Sequence, residues 1–219
     1  MNTRTIIIAG ALAVAAGLGL WVFKQHSDRN VVLSGVKDTG TRLRETLAIE
    51  AGPAAAINAE TVRRLDEHVA AAERNRAALK RLVAADRQAL VDAADNYLVT
   101  GQEILRRQAT AHRNRLLLAD SLQALRAHFR ADRGAASWVR EAVRLRVPVE
   151  KHYGDYALAV ETLDKLLESL PASQAKVAPL VGDLPIAEEN LVAGARKRSQ
   201  EELKRATGEV DKIRQLVAR

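Results

Sequence analysis

The feature of this sequence that most limits its fold is an uncharged run near the N-terminus, from Thr5 to Phe23. As an α-helix this run would extend roughly 28 Å at ~1.5 Å per residue, close to the hydrocarbon thickness of a bilayer. Trp21 and Phe23 stand at its end and Lys24 follows, an aromatic and basic edge that is typical of a lipid–water interface. The sequence therefore predicts a single transmembrane anchor at residues 5–23, with membrane lipid as its partner.

A cleaved signal peptide is the alternative interpretation of this run. Small residues at Ala11, Ala13 and Ala15 have the spacing of a cleavage site. Cutting there would leave Gly17 to Phe23 as an exposed apolar stub. We therefore expect the run to be retained as an anchor.

The charges beside the run leave its orientation open. Counting basic residues alone would keep the rest of the chain cytoplasmic, because more of them follow the run than precede it. The short basic tail at residues 1–4, however, leads straight into the apolar stretch, as an uncleaved export signal does. We expect a single-pass protein of the cell membrane whose remaining chain is periplasmic or otherwise extracytoplasmic, with a cytoplasmic location as the alternative.

Residues 24–58 are predicted to be a juxtamembrane connector rather than part of a core. A helical patch lies near Thr41 to Glu50, and the dipeptide Gly52-Pro53 is a strong signal for a break. Everything from residue 59 to residue 219 is predicted to form one helical domain, either a coiled coil or a bundle.

The helical domain begins with apolar residues that alternate four and three positions apart, which is the heptad pattern of a coiled coil. Polar residues fill some of the same positions, where they either fix the register as buried groups or reach out to water. We define the candidate interaction seam as these positions: Leu65, Val69, Arg76, Leu79, Val83, Asp86 and Leu90.

Two further helical segments follow the first. One is predicted from Ser137 to Leu170 with a kink at Pro148, and the other from Leu184 to the C-terminus. The proline-rich stretch between them is predicted to be a connector. No segment alternates between apolar and polar residues as a half-buried strand does, so the sequence predicts an all-α fold.

Two architectures fit these segments, and they differ at Thr100-Gly101. If the first helix runs through this dipeptide, the domain is an elongated antiparallel coiled-coil hairpin, which we favour because no proline or Asn-Gly marks a turn there. If the chain reverses at this point, the domain is an up-down four-helix bundle.

The sequence offers no recognisable chemistry. It has no cysteine, and none of the histidines lies three residues after a glutamate, as a dinuclear metal site in a helical bundle would need. Serine-hydrolase, phosphate-loop and dinucleotide-binding motifs are also missing. We expect no catalytic residue, no metal ligand and no cofactor, and therefore a protein that is not an enzyme.

The net charge of +7 favours the binding of anionic partners. Guanidinium groups grip phosphates and carboxylates in pairs of hydrogen bonds, so an arginine-rich run is a candidate anion-binding patch. Acidic residues interrupt the run and aromatic residues for base stacking are scarce, so nucleic acid is not an expected partner. The patch consists of Arg106, Arg107, Arg113, Arg115, Arg126 and Arg130.

Two functions remain for such a chain. The first is a membrane-anchored scaffold or adaptor, not an enzyme, that binds partner helices through the candidate interaction seam or associates with itself. The second is an extracytoplasmic sensory bundle that holds a small ligand between its helices. Because no second span follows the helical domain, such a sensor would have to signal through a partner.

Overall fold

The computed structural model describes the backbone of residues 3–52, 58–82, 88–130, 137–182 and 187–217, and side chains from residue 27 to residue 216 within those ranges. Every regular element in these ranges is an α-helix, so the all-α prediction is confirmed. The helices are α1 (Thr3–Ala51), α2 (Ala59–Lys80), α3 (Gln88–Arg130), α4 (Ser137–Val181) and α5 (Glu189–Val217).

Helix α1 is a core element in its second half, where the sequence predicted only a connector. Val32, Val36, Leu43 and Leu47 are all buried and belong to the main hydrophobic core. Their spacing of four, seven and four residues places them on one face of a helix. Lys37, Arg44 and Glu45 between them are exposed, so the segment is a helix with one apolar face.

The N-terminal part of α1 carries the predicted anchor. Its side chains, with those of Trp21, Phe23 and Lys24 at the predicted membrane edge, lie outside the described residues. Within the part of the chain whose side chains are described, no helix combines the length and apolarity needed to cross a bilayer. The anchor at residues 5–23 therefore stays a prediction from the sequence.

The first heptad segment was predicted to be a single helix from residue 59 past Tyr97, and this is wrong. Helix α2 ends at Lys80, where the backbone N–H of Arg81 donates to the carbonyls of the preceding turn. Helix α3 begins at Gln88 and lies antiparallel to α2, as the pairing of Arg76 with Asp95 requires. A heptad pattern identifies the apolar face of a helix but does not say where the chain reverses.

Gly101 does not mark a turn, because α3 passes through it without interruption. The glycine instead lets α1 and α3 come together. A Cβ atom at this position would lie 2.9 Å from the Cγ2 atom of Thr39 and 3.1 Å from a methyl carbon of Leu43. The helix thus continues at the point where the two candidate architectures differ, while the chain reverses earlier, between α2 and α3.

Helix α4 is longer than the sequence predicted. It continues past Leu170 to Val181 and contains Pro148, Pro171 and Pro179. Each proline removes a backbone donor, yet the burial of Leu170 and Val177 holds the last turns of the helix in place. Helix α5 accordingly begins at Glu189 rather than at Leu184, a residue that lies outside the described ranges.

Helices α3 and α4 form an antiparallel hairpin that runs through the whole bundle. The hydroxyls of Thr100 and Ser173 meet near one end of the hairpin, and His128 bonds to the backbone of Trp138 at the other. Helices α1 and α2 and the start of α5 pack against the first end, and the rest of α5 packs against the second. The core at the first end is therefore formed by α1, α2, α3, α4 and the start of α5, and the core at the second end by α3, α4 and α5.

Candidate functional site

A buried polar cluster lies where the last turn of α1 meets α3, α4 and α5, between the two hydrophobic cores. Glu50, His112 and Ser199 are its centre, and each is less than 9% exposed. Arg115 and Tyr156 line the same space. Four helices therefore place polar side chains at one point, which makes this cluster the first candidate for a functional site.

The centre of the cluster is a chain of short hydrogen bonds. One carboxylate oxygen of Glu50 lies 2.7 Å from Nε2 of His112, and the other accepts from the hydroxyl of Ser199 at 2.7 Å. Burial by itself raises the pKa of the Glu50 carboxyl, but these two partners and the charge of Arg115 outweigh burial and leave the pKa below its usual value. Glu50 is therefore a buried carboxylate that the fold holds in its ionised form.

A second ion pair borders the cluster. Arg115 on α3 donates to Glu202 on α5 at 2.6 Å, and Glu202 also contacts Arg205 of its own helix at 3.0 Å. Burial raises the pKa of Tyr156, so this phenol stays protonated at ordinary pH. Glu202 thus has a cationic partner on another helix, and Glu50 has hydrogen-bond partners on two other helices.

The geometry of this cluster does not suit nucleophilic catalysis. In a serine hydrolase the histidine lies between the serine and the acid, so that it can take the proton from the hydroxyl. Here Glu50 lies between Ser199 and His112. The enclosed space is about 10 Å³, roughly the minimum for one water, so no substrate fits without rearrangement. The cluster joins helices and offers no room for chemistry.

Ring nitrogen Nδ1 of His112 and both polar side-chain atoms of Gln108 have no hydrogen-bond partner among the described residues. These two residues lie one helical turn apart on α3, and Gln108 is fully buried. A buried water would satisfy such groups, since the cost of leaving them unpaired is about 1–3 kcal/mol each. Among those same residues, no group of three potential metal ligands comes together.

The candidate interaction seam mostly faces the interior of the chain itself. Leu65 and Leu79 are buried, and Val69 and Leu90 are half-buried. Arg76 is also half-buried and pairs with Asp95 across the α2–α3 interface at 3.1 Å. The remaining two seam positions, Val83 and Asp86, lie outside the described residues. The leucines are thus used for folding and are not exposed to a partner.

The candidate anion-binding patch is not one open basic surface. Five of its six arginines pair with carboxylates, four of them with carboxylates on other helices: Arg106 pairs with Glu73, Arg107 with Glu103, Arg113 with Asp66, Arg115 with Glu202 and Arg126 with Glu209. Arg130 is exposed at the end of α3. Since the sequence does not reveal which acids other helices bring close, the run looked more basic than it is.

One surface feature was missed by sequence reasoning. Large aliphatic side chains stand exposed along the first half of α4, and a Cβ atom added to Gly154 on the same side would have no neighbouring side chain within 4 Å. The signal was available, because valines recur four residues apart on the side of the helix opposite its inward face. We call this surface the α4 outer face, formed by Val139, Val143, Val147, Gly154 and Leu158.

Comparison of the chain with protein-family models, with curated proteins and with solved structures finds no match. Its function therefore has to be inferred from the residues and their arrangement.

Proposed function

We propose that this chain is a membrane-anchored helical scaffold or adaptor without enzymatic activity, which binds partner helices or further copies of itself. The observation that carries the proposal is the continuity of α1. One helix extends from Thr3 to Ala51, so the uncharged run at residues 5–23 and the core-forming residues 32–47 belong to the same rigid element. An anchor built in this way would fix the orientation of the bundle relative to the bilayer.

The attachment of α1 to the bundle supports this role. Val36, Leu43 and Leu47 are fully buried, and the close approach at Gly101 locks α1 against α3. The buried carboxylate of Glu50 then ties the last turn of α1 to α3 and α5. A loose tether would need none of these contacts, whereas a scaffold that presents a surface in a defined orientation would need them all.

The side-chain chemistry also favours a structural role. The polar cluster around Glu50 is nearly closed to solvent, and the arginines that resembled an anion-binding patch mostly pair with carboxylates. Membrane lipid around residues 5–23 and a protein partner are therefore the partners we propose, without nucleic acid. We place the bundle on the periplasmic or extracytoplasmic side, with the cytoplasmic side as the alternative that a topology reporter fused after Arg219 would distinguish.

The anchor is tested by carbonate extraction of membranes that carry the full chain. We expect the chain to stay in the membrane pellet, and we expect the double substitution Val14→Arg and Leu18→Arg to release it, because each charge at a bilayer centre costs roughly 2.5–3.5 kcal/mol. The matched control, Ala124→Arg with Ala127→Arg, changes exposed positions of α3 and should stay in the pellet. Recovery of the unaltered chain in the supernatant would show that residues 5–23 are not an anchor.

A sensory bundle remains the second candidate, because one groove has the size of a ligand site. Its volume is about 410 Å³, within the range of roughly 300–1,000 Å³ that small-molecule sites occupy. Gln174 and Ala178 of α4 line it together with Ala187, which precedes α5, and Val192 in the first turn of α5. A small molecule retained by the purified chain in native mass spectrometry, and lost when Ala178→Trp fills the groove, would favour this function over the first.

A further inference from the structure

The α4 outer face is an apolar surface, except where Glu150 and its partner Arg214 on α5 lie at its edge between Val147 and Gly154. Its four large side chains, Val139, Val143, Val147 and Leu158, are 53–65% exposed. On a helix with about 3.6 residues per turn these positions and Gly154 fall within an arc of roughly 100°, opposite the buried residues of α4. Exposed aliphatic residues that occur singly need no explanation, but a row of them about 28 Å long is typical of a surface that another helix covers.

Fewer helices surround the hydrophobic core at this end of the bundle than at the other end. The core around Val149 and Tyr156 is formed by α3, α4 and α5, whereas the core at the other end also has α1 and α2 around it. No described helix of the chain lies over the α4 outer face. A further helix on that face would pack against α4 on the side away from this core.

The charges beside the α4 outer face identify the helix that would fit. Exposed Arg140 and Arg144 lie beside its N-terminal half and exposed Asp155 and Glu161 beside or just beyond its C-terminal half, while Lys151 lies near the midpoint. A parallel copy of α4 would place like charges together, while an antiparallel copy places basic residues beside acidic ones. The surface is therefore complementary to itself under a two-fold axis.

We infer that the α4 outer face binds the same face of a second copy of this chain, with the two α4 helices antiparallel. In this arrangement Val139 packs against Leu158 of the other copy. Val143 packs against Gly154, where the missing side chain admits it. Arg144, which contacts Glu141 within its own chain, then lies beside Asp155 of the other copy. Asp155 has no ion pair within the described part of its own chain.

This inference deepens the proposed function by naming the partner, and it makes one more claim about the assembly. Helix α1 runs parallel to α3, as the contacts of Thr39 with Gly101 and of Glu50 with His112 require, and so it runs antiparallel to α4. Antiparallel pairing of α4 therefore directs the two α1 N-termini to opposite ends of the dimer. If residues 5–23 are anchors, the dimer would bridge two apposed membrane surfaces.

The absence of cysteine makes the pairing directly testable by disulfide crosslinking of the full chain in detergent micelles. The variants Val143→Cys and Gly154→Cys are prepared with different affinity tags. Each variant is oxidised alone, and the two are also oxidised as a mixture. In the antiparallel pair residue 143 faces residue 154 of the other copy, but the two copies of residue 143 are about 16 Å apart along the axis, too far for a disulfide. We expect a crosslinked dimer that contains both tags in the mixture, and none in either variant alone.

Matched controls are cysteines at exposed positions away from this face, Ala124→Cys on α3 and Ala193→Cys on α5, whose mixture should not crosslink. The charge pair is tested in the same assay on both cysteine variants. Arg144→Glu should lower the crosslinked fraction severalfold, and adding Asp155→Arg to the same chains should restore it.

Other crosslinking patterns overturn the inference. Crosslinking of Val143→Cys alone, or of Gly154→Cys alone, would show a parallel pair. Absence of the mixed dimer, or equal crosslinking of the controls, would show that a second copy does not occupy this face. If the mixture crosslinks but carbonate releases the unaltered chain from membranes, the pairing stands and only the anchor is refuted.

Discussion

Gly101 determines how closely α1 and α3 approach, although glycine is normally a poor residue for the interior of a helix. Replacing glycine by alanine in a helix contributes up to about 1 kcal/mol to stability when the new methyl group has space. At Gly101 that methyl group would lie 2.9 Å from a carbon of Thr39, so a side chain or a whole helix must shift. The clash of the new methyl group at Gly101 thus opposes the stability that alanine would otherwise add to the helix.

We expect Gly101→Ala to lower the free energy of unfolding by about 1–3 kcal/mol, as overpacking of a core usually does. The matched control is Gly208→Ala on α5, where no neighbouring side chain lies within 4 Å of the new carbon and the substitution should raise stability. Urea unfolding of both variants measures the difference. Equal stabilisation by both substitutions would show that α1 does not approach α3 closely at Gly101.

Glu50 is the residue at which the stability of the fold should depend on pH. Its pKa in the folded chain lies below the ordinary value of 4.5, so the folded state favours the ionised carboxylate more strongly than the unfolded state does. The contribution is therefore fully present above the unfolded pKa. It is lost as the pH falls below 4.5 and through the lower pKa of the folded state.

The variant Glu50→Gln should lose about 1.5–3 kcal/mol at pH 7, which is typical for a hydrogen bond to a charged group. The deficit relative to the unaltered chain should shrink below pH 4.5, because the native carboxyl then becomes protonated as well. The exposed Glu201→Gln serves as the control and should change stability little at either pH. A deficit for Glu50→Gln that stays constant from pH 7 down to roughly pH 3 would mean that Glu50 is not ionised in the fold.

Among the helices, the sequence predicted the faces correctly and the ends poorly. In α4 the helical spacing of Val149, Tyr156, Val160, Leu163 and Leu167 predicts that they form its inward face, and all five residues are buried. Periodicity of this kind reports which side of a helix avoids water, which is a local property of the sequence.

The ends of the helices depend on packing that the local sequence does not contain. The pattern between Leu79 and Leu90 stays in phase across the reversal from α2 to α3, so nothing in the spacing marks it. Conversely, Pro171 looked like an end, but the burial of Val177 against the core keeps α4 helical beyond it. Tertiary contacts overrode both local signals.

The buried polar cluster was invisible from the sequence for the same reason. Glu50, His112 and Ser199 are separated by more than sixty positions at each step, and no motif links them. Their meeting depends on the order in which the helices pack. Arginines lie close to His112 in the sequence, a pattern typical of a solvated surface, whereas this histidine is the partner of a buried carboxylate.

In the whole molecule, α1 is the element that joins the proposed membrane anchor to the bundle. Because α1 is one continuous helix, the direction of the anchor is fixed relative to the bundle. The N-terminal part of α1 leaves the bundle at the end opposite to the start of α4. Pairing through the α4 outer face would then hold two such molecules in opposite directions. The sequence alone predicted a connector outside the core at residues 24–58, and such a connector would not fix the direction of the anchor relative to the bundle.

Amide hydrogen exchange of the full chain in lipid nanodiscs tests the continuity of α1 most directly. Helical amides exchange slowly only where the helix persists, so we expect protection to continue without a gap from the anchor through residues 24–32 and into the core-forming turns up to Leu47. A rapidly exchanging segment between Phe23 and Val32, with protection on both sides, would show that a hinge separates the anchor from the bundle and would contradict the proposed rigid attachment.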